Sequence, residues 1–534
     1  SIAGQQLVDG GFAFDEAKGS VVWRDANTLF AAIADTPAAS TASGYPRIVR
    51  RVSRGQPLGD APIIFEASER DIGVWPISII RNGQRHSFLT RALTFFESEH
   101  YRLYADEKPV RLPLPLKSEI EGILGDLLIV TLREDWRHGG KSFAAGDLIA
   151  LDLKSKKAAL VFHPGPHQAL SGVAVSQSAI ILELLDNVIA RIVRLTRRGA
   201  AWHAVDIGLP GEGVAALGSV NATGDDFFLT FESPILPPAL FYVAQGGSRR
   251  AVRQSPARFD ARGIVMEQRH AKSSDGTRIP YFLIGREGAI RQGKAPTILY
   301  GYGGFEVPST PSYSGVTGRL WLEQGGLYAI ANIRGGGEFG PRWHQAALKS
   351  KRQHAFDDFF AVAEDLIQSG ATTPKRLGAY GGSNGGLLMG VALTQRPDLF
   401  NALAIGVPLL DMLRYTELLA GASWVGEYGD PAIPAERAVL ARYSPYHQLK
   451  PNRAYPRPFL FTSTRDDRVH PGHARKMAAK LKELGYDFLY YENIEGGHGA
   501  AANQNQAAYR AALQYIYFTR QLMDDSGSKA KGSP

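Results

Sequence analysis

Apolar and polar positions along this chain follow two different rhythms. Up to about Ser255 the apolar residues come in short runs broken by turn formers. Val21-Val22-Trp23, Thr28-Leu29-Phe30, Leu127-Leu128-Ile129-Val130-Thr131-Leu132 and Asp147-Leu148-Ile149-Ala150-Leu151 predict strands, as do Ala179-Ile180-Ile181-Leu182 and Phe227-Phe228-Leu229-Thr230-Phe231. Arg81-Asn82-Gly83-Gln84 lies between two such runs, and Asn-Gly predicts a tight hairpin because both residues tolerate the left-handed backbone a two-residue turn needs. Few stretches here support a helix longer than two turns. Short strands at close spacing predict a sandwich, barrel or propeller, and no clean repeat selects among them.

The second rhythm begins near Phe259. After a hairpin signal at Ser274-Asp275-Gly276-Thr277, strands alternate with helices. Thr297–Tyr300, Leu327–Ala331, Leu377–Tyr380, Ala402–Ile405, Phe459–Thr462 and Phe488–Tyr491 read as strands. Phe356 to Ile367 reads as an amphipathic helix, with Phe356, Phe359, Phe360, Ala363, Leu366 and Ile367 on one stripe. Gly472 to Leu484 reads as another. This alternation predicts a mostly parallel sheet covered on both faces. The polar stretch from Asp524 to Pro534 predicts a disordered tail.

Composition narrows the picture. The 534 residues exceed one hydrophobic core, so a β-rich part (1–255) and an α/β part (256–523) are expected as separate domains. Hydrophobic residues make up 44% and charged residues 21%, the balance of a soluble globular protein. The net charge of +8 comes from scattered Lys and Arg, so neither a nucleic-acid nor a membrane partner is expected. The absence of cysteine excludes disulfides, thiolate metal sites and a cysteine nucleophile. No run of 18 apolar residues occurs, and the start, Ser1-Ile2-Ala3-Gly4-Gln5, has no signal-peptide pattern and reads as a processed or clipped end. A soluble protein is expected, with cytoplasm and periplasm both compatible.

The sharpest chemical signal is Gly381-Gly382-Ser383-Asn384-Gly385-Gly386 between a strand and a helix, Leu387 to Thr394. Gly-x-Ser-x-Gly in that context is a nucleophile elbow, in which small flanking residues let the turn lift the serine hydroxyl above the sheet. The following N–H, that of Asn384, would then face the oxyanion that forms. A neutral hydroxyl needs a base, and in this fold the order is Ser, acid, His. His498, in Gly496-Gly497-His498-Gly499 after a late strand, is the candidate base. His470 and His473 open a helix and read as surface or capping residues. Asp466 and Asp467, in the loop after the preceding strand, are both candidates for the acid, and spacing leaves them equivalent. Tyr300-Gly301-Tyr302-Gly303-Gly304-Phe305 follows another strand and offers a phenol as a second oxyanion donor. Gly335-Gly336-Gly337 lacks the Gly-Lys-Ser/Thr of a phosphate loop, and no cluster has metal-ligand spacing, so no cofactor and no metal are expected.

These segments resemble the prolyl oligopeptidase family. The resemblance lies in Tyr300–Phe305, in Asn332-Ile333-Arg334-Gly335-Gly336-Gly337-Glu338-Phe339-Gly340, in the Ser383 elbow, in Asp466-Asp467-Arg468-Val469 and in Gly497-His498-Gly499. It covers roughly Phe259 to Met523, and extends more weakly to the front, as at Ser43-Gly44-Tyr45-Pro46-Arg47. It implies an α/β-hydrolase catalytic domain behind an N-terminal β-propeller. Ser383 would be the nucleophile, His498 the base and Asp466 the orienting acid. The Tyr302 hydroxyl and Asn384 N–H would form the oxyanion hole. Trp424 and Tyr428 match the aromatic wall of a proline pocket that Phe305 and Val469 would complete, and Arg468 would bind the carbonyl before the proline.

The implied activity is hydrolysis of oligopeptides after proline by a monomeric serine peptidase. A flat, apolar pyrrolidine ring stacks well on indole. No acid is evident among these pocket residues to neutralise a basic side chain. Members of the family usually carry a longer front that supplies a helical piece and the first propeller blades. A partial or shortened propeller of about five four-stranded blades is therefore implied. Two other readings are an α/β-hydrolase of different specificity (acylaminoacyl peptidase, dipeptidyl peptidase or esterase) and a non-enzymatic propeller binding protein.

Overall fold

The computed structural model describes residues 4–6, 8–199 and 201–523. The segment Asp524–Pro534, expected to be disordered, lies outside them. The first half builds four-stranded antiparallel sheets, one after another along the chain. Gly19–Asp25, Thr28–Ile33, Ile48–Ser53 and Ile63–Glu66 form the first. Four more follow within 73–111, 118–162, 168–207 and 214–254, and the chain of the 118–162 sheet carries an added hairpin at 136–143. Asn82 and Gly83 take φ of 51° and 73°, joining strands Gly73–Arg81 and Gln84–Ala92 through the predicted hairpin.

Each sheet packs on the next. Phe30 and Val49 of the first share a cluster with Val74, Leu89 and Leu103 of the second. Phe88 joins Ile123 and Leu128, Ile129 joins Ile180 and Leu182, and Ile181 joins Phe227 and Leu229. Strands such as Leu127–Leu132 are therefore apolar on both faces, because each inner sheet has a neighbour on either side. Face-to-face packing of consecutive four-stranded sheets is the construction of a propeller.

The second half is one eight-stranded sheet with β1 (Ile264–Lys272), β2 (Arg278–Arg286), β3 (Thr297–Tyr300), β4 (Leu327–Ala331), β5 (Leu377–Gly382), β6 (Ala402–Gly406), β7 (Pro458–Ser463) and β8 (Leu489–Asn493). The order is β1-β2-β4-β3-β5-β6-β7-β8, with every pair from β4 to β8 parallel. Parallel strands need crossovers, which here include helices α1 (Pro341–Gln345), α2 (Gln353–Gln368), α3 (Asn384–Gln395) and α4 (Gly472–Glu483); α5 (Gln504–Leu522) follows β8. Leu299 points to the face covered by Phe356, Phe359, Leu387 and Val391, while its neighbour Ile298 joins Trp321, Tyr517 and Phe518 on the other. Both faces are dry, which is why these strands read as unbroken apolar runs. Among the described residues no helix is long and apolar enough to cross a membrane, and no cluster of His, Asp and Glu could hold a metal ion.

Candidate active site

Parallel strands all end on one edge, and the candidate residues gather there. Tyr302 follows β3, Ser383 follows β5, Asp466 follows β7 and His498 follows β8. Ligands of open α/β sheets bind at this carboxyl edge.

Ser383 sits at φ 59° and ψ −117°, between β5 and the first turn of α3. A side chain rarely takes this backbone, and the surroundings enforce it. A Cβ on Gly381 would lie 2.3 Å from the Gly385 carbonyl oxygen, and one on Gly385 would lie 2.7 Å from that of Gly301. Only glycine fits on either side. The strand is also tied across: Ser383 N–H donates to the Gly406 carbonyl at 2.9 Å. Ser383 caps α3, so the N-terminal end of the helix dipole faces any anion formed at its hydroxyl.

The structure separates Asp466 from Asp467. His498 Nδ1 lies 2.7 Å from Asp466 Oδ2. The other oxygen, Oδ1, accepts from the N–H groups of Arg468 at 2.9 Å and Val469 at 3.0 Å. The Asp466 side chain is fully buried, whereas that of Asp467 is 60% exposed and lies 3.7 Å from Lys18. Two backbone donors and the imidazole hold Asp466 in one orientation. Among the described residues His498 Nε2 has no hydrogen-bond partner and stays available to a proton donor. Catalytic contacts of this kind commonly tighten only with substrate bound.

The Tyr302 phenol is pushed up to about 12 by burial, with Glu427 adding to the shift and nearby Ser383 acting weakly in the opposite direction. It therefore remains a protonated donor throughout the neutral range. Phe305 stands at φ 57° and packs edge-on against Tyr428 with ring centroids 5.7 Å apart. Trp424 and Val469 join the same apolar cluster. Burial raises the Tyr428 hydroxyl well above its ordinary range, and that hydroxyl donates to Asn384 Oδ1 at 2.8 Å. Arg468 is exposed at the rim, close enough to Tyr302 for its charge to act on the phenol.

Sequence reasoning missed a buried ionic network beneath these residues. An acid does stand within the pocket segment: Glu427, fully buried. Its Oε1 accepts from Arg352 at 2.6 Å and from Phe305 N–H at 3.1 Å, and its Oε2 lies 2.8 Å from His344 Nε2. Arg352 also donates to Asn384 Oδ1 at 2.5 Å, and Asn384 Nδ2 donates to the Tyr302 carbonyl at 2.6 Å. Both Glu427 oxygens are thus committed to internal partners, and truncating one member of such a pair would cost about 3–5 kcal/mol. The sole sequence signal was Glu427's place between Trp424 and Tyr428.

Two further residues come from the propeller half. Phe95 packs edge-on against Phe305 at 5.2 Å, and Phe96 lies 4.8 Å from His344. With Trp75, Ile77 and Phe305 they line a cavity of about 460 Å³. His473 is a correction. It opens α4 but is 1% exposed, and its Nδ1 accepts from the N–H groups of Leu410 at 3.3 Å and Asp411 at 3.1 Å. Burial lowers it to about 4, so it stays neutral and acts as a structural acceptor.

Residues 311–525 match the prolyl oligopeptidase family. An uncharacterized peptidase of Sinorhizobium fredii is 44% identical over 539 residues, spanning 98% of this chain and 74% of that protein. The chain belongs to the prolyl oligopeptidase family. This prolyl oligopeptidase-family peptidase is also 38% identical to a prolyl endopeptidase of Elizabethkingia miricola, over 58% of its own length and 44% of the relative's. Its structure matches that of a post-proline cleaving enzyme from Rickettsia typhi with a TM-score of 0.90 at 32% identity, covering 95% of this chain and 75% of that one. It is a serine peptidase with an α/β-hydrolase catalytic fold and a propeller-like front.

Proposed function

We propose that this peptidase cleaves oligopeptides on the carboxyl side of proline, through an acyl-enzyme on Ser383, with the propeller-like part at 1–255 and the catalytic part at 256–523. His498 Nε2 takes the Ser383 proton as Oγ attacks the proline carbonyl, and Asp466 holds the imidazole and its positive charge. The Tyr302 hydroxyl and the Asn384 N–H donate to the oxyanion, where preorganised donors act most strongly. The imidazolium then protonates the leaving nitrogen, the C–N bond breaks, and an ester remains on Ser383. Water, deprotonated by His498, attacks that ester, and Oγ regains its proton as the acid leaves. Arg468, exposed beside Tyr302, would hold the carbonyl of the residue before proline.

One observation carries the choice of proline. In this reading the pocket wall is the edge-on pair Phe305 and Tyr428 with Trp424 and Val469 of the same apolar core, and Glu427 beside them is already paired with Arg352. A basic side chain would enter without a counter-charge, while a pyrrolidine ring meets ring faces. The relatives named for post-proline cleavage support the same reading.

Trp424→Ala tests it. Loss of the indole should lower kcat/KM on a proline-containing peptide by about 100-fold and on its alanine counterpart by less than about fivefold. Steady-state assays of the two peptides decide it; equal losses would remove Trp424 from the pocket.

A further inference from the structure

The loop from Tyr302 to Glu306 is gripped from two sides. From within the catalytic half, Glu427 accepts from Phe305 N–H and Asn384 Nδ2 donates to the Tyr302 carbonyl. From the propeller half, Arg133 Nη1 lies 2.8 Å from Glu306 Oε2. Arg133 directly follows the strand Leu127–Leu132, and its N–H donates to the Lys117 carbonyl at 2.7 Å. Three contacts hold its segment against the catalytic half. The Arg133 carbonyl accepts from Gln345 Nε2 at 2.8 Å, Asp135 pairs with Arg342 at 2.7 Å, and Arg133 pairs with Glu306. Gln345 and Arg342 belong to α1, which also carries His344. His344 stands between Glu306, 3.6 Å from its Nδ1, and Glu427, 2.8 Å from its Nε2.

Two neighbouring residues of this loop, Phe305 and Glu306, hold φ of 57° and 58°. Side chains rarely take this conformation, and two in succession persist only when the surroundings over-determine them. Glu427 holds the Phe305 end; at the Glu306 end the backbone N–H donates to the Gly335 carbonyl at 3.1 Å and the side chain is held by Arg133.

We infer that Arg133 and Glu306 are a positioning pair, through which docking of the propeller half holds the Tyr302–Glu306 loop in its working geometry. The inference rests on the reading of Tyr302 as oxyanion donor and Phe305 as pocket wall. Arg133 lines the cavity beside Phe305, and it acts on the loop through Glu306. Their charge attraction acts on the phenol and the ring through the backbone between them.

A double-mutant cycle tests this on the whole chain. Glu306→Gln and Arg133→Gln should each lower kcat/KM about tenfold, and the double variant should lose no more than either alone, because the second change removes an interaction already lost. Arg133 also pairs with Glu119 at 2.7 Å within the propeller half, so Glu119→Gln is the control and should stay within about twofold. Additive losses of about 100-fold in the double variant, or single losses below about twofold, would overturn the inference.

The cycle is run on a post-proline peptide and on p-nitrophenyl acetate, whose hydrolysis needs the oxyanion donors but no proline pocket. A wild-type enzyme indifferent to proline would defeat the specificity reading while the ester cycle still judged the pair. Hydrogen exchange gives a second readout: amides of 302–307 should exchange faster in Glu306→Gln than in wild type. Unchanged exchange there would count against the pair even if a variant proved less stable.

Discussion

Ser383→Ala is expected to lower kcat on a post-proline peptide by about 10⁴- to 10⁶-fold, with unfolding temperature and circular dichroism close to those of the parent. The loss is large because Oγ forms the covalent intermediate, and neither Tyr302 nor His498 can replace it. The fold should survive because the elbow is set by backbone. Ser383 N–H reaches the Gly406 carbonyl, Leu387 N–H reaches the Ser383 carbonyl at 3.1 Å, and the flanking glycines are fixed by their close neighbours. Alanine keeps all of these. It also relieves nothing of the strained φ of 59°, since that cost attaches to any Cβ. Turnover within tenfold of the parent would remove Ser383 as the nucleophile.

Asp466→Asn is expected to lower kcat by about 10³- to 10⁴-fold, while Asp467→Asn stays within about threefold. An amide at position 466 can present its NH₂ to the imidazole and favour the wrong tautomer, and it supplies no charge to the imidazolium. The two N–H groups from Arg468 and Val469 demand an acceptor where Oδ1 now stands, so the introduced amide would keep its oxygen there and turn its nitrogen towards His498. Among the described residues Asp467 has only the exposed partner Lys18, and exposed pairs contribute about 0–1 kcal/mol. Steady-state kinetics of the two variants separate the neighbours. Equal effects would dissolve the assignment of roles.

That pair also shows what was legible in the sequence. The Ser383 elbow is a local pattern, because sharp backbone geometry demands glycine at fixed offsets. The Asp466–Asp467 choice is not local. It depends on which carboxylate the turn aims at a histidine 32 residues later, and alternating side-chain direction cannot be read from two adjacent acids. The Arg352–Glu427–His344 network was hidden for the same reason: its members come from three segments with no shared spacing. His473 misled because a histidine at a helix start reads as polar. Buried backbone donors at Leu410 and Asp411 make a neutral imidazole the better fit.

Strand positions were legible where apolar runs coincide with ladders, as in Leu327–Ala331. They were cut short where pairing continues through residues that look like turns, as at Gly381 and Gly382 or at Asp186. The propeller-like stacking was not legible from period. Its contacts, such as Phe88 on Ile123, link sheets through single large residues and impose no repeat on the sequence. Phe95 and Phe96 carry no local sequence signal, because they belong to one half of the chain while the ring they meet, Phe305, belongs to the other.

Proline selectivity is tested most directly by a panel of peptides that differ only in the residue before the scissile bond, with products located by mass spectrometry. Phe305, Trp424, Tyr428 and Val469, with Glu427 held by Arg352, predict cleavage after proline, weak cleavage after alanine, and none after lysine or arginine. Cleavage after lysine or arginine at a rate equal to that after proline would contradict the account.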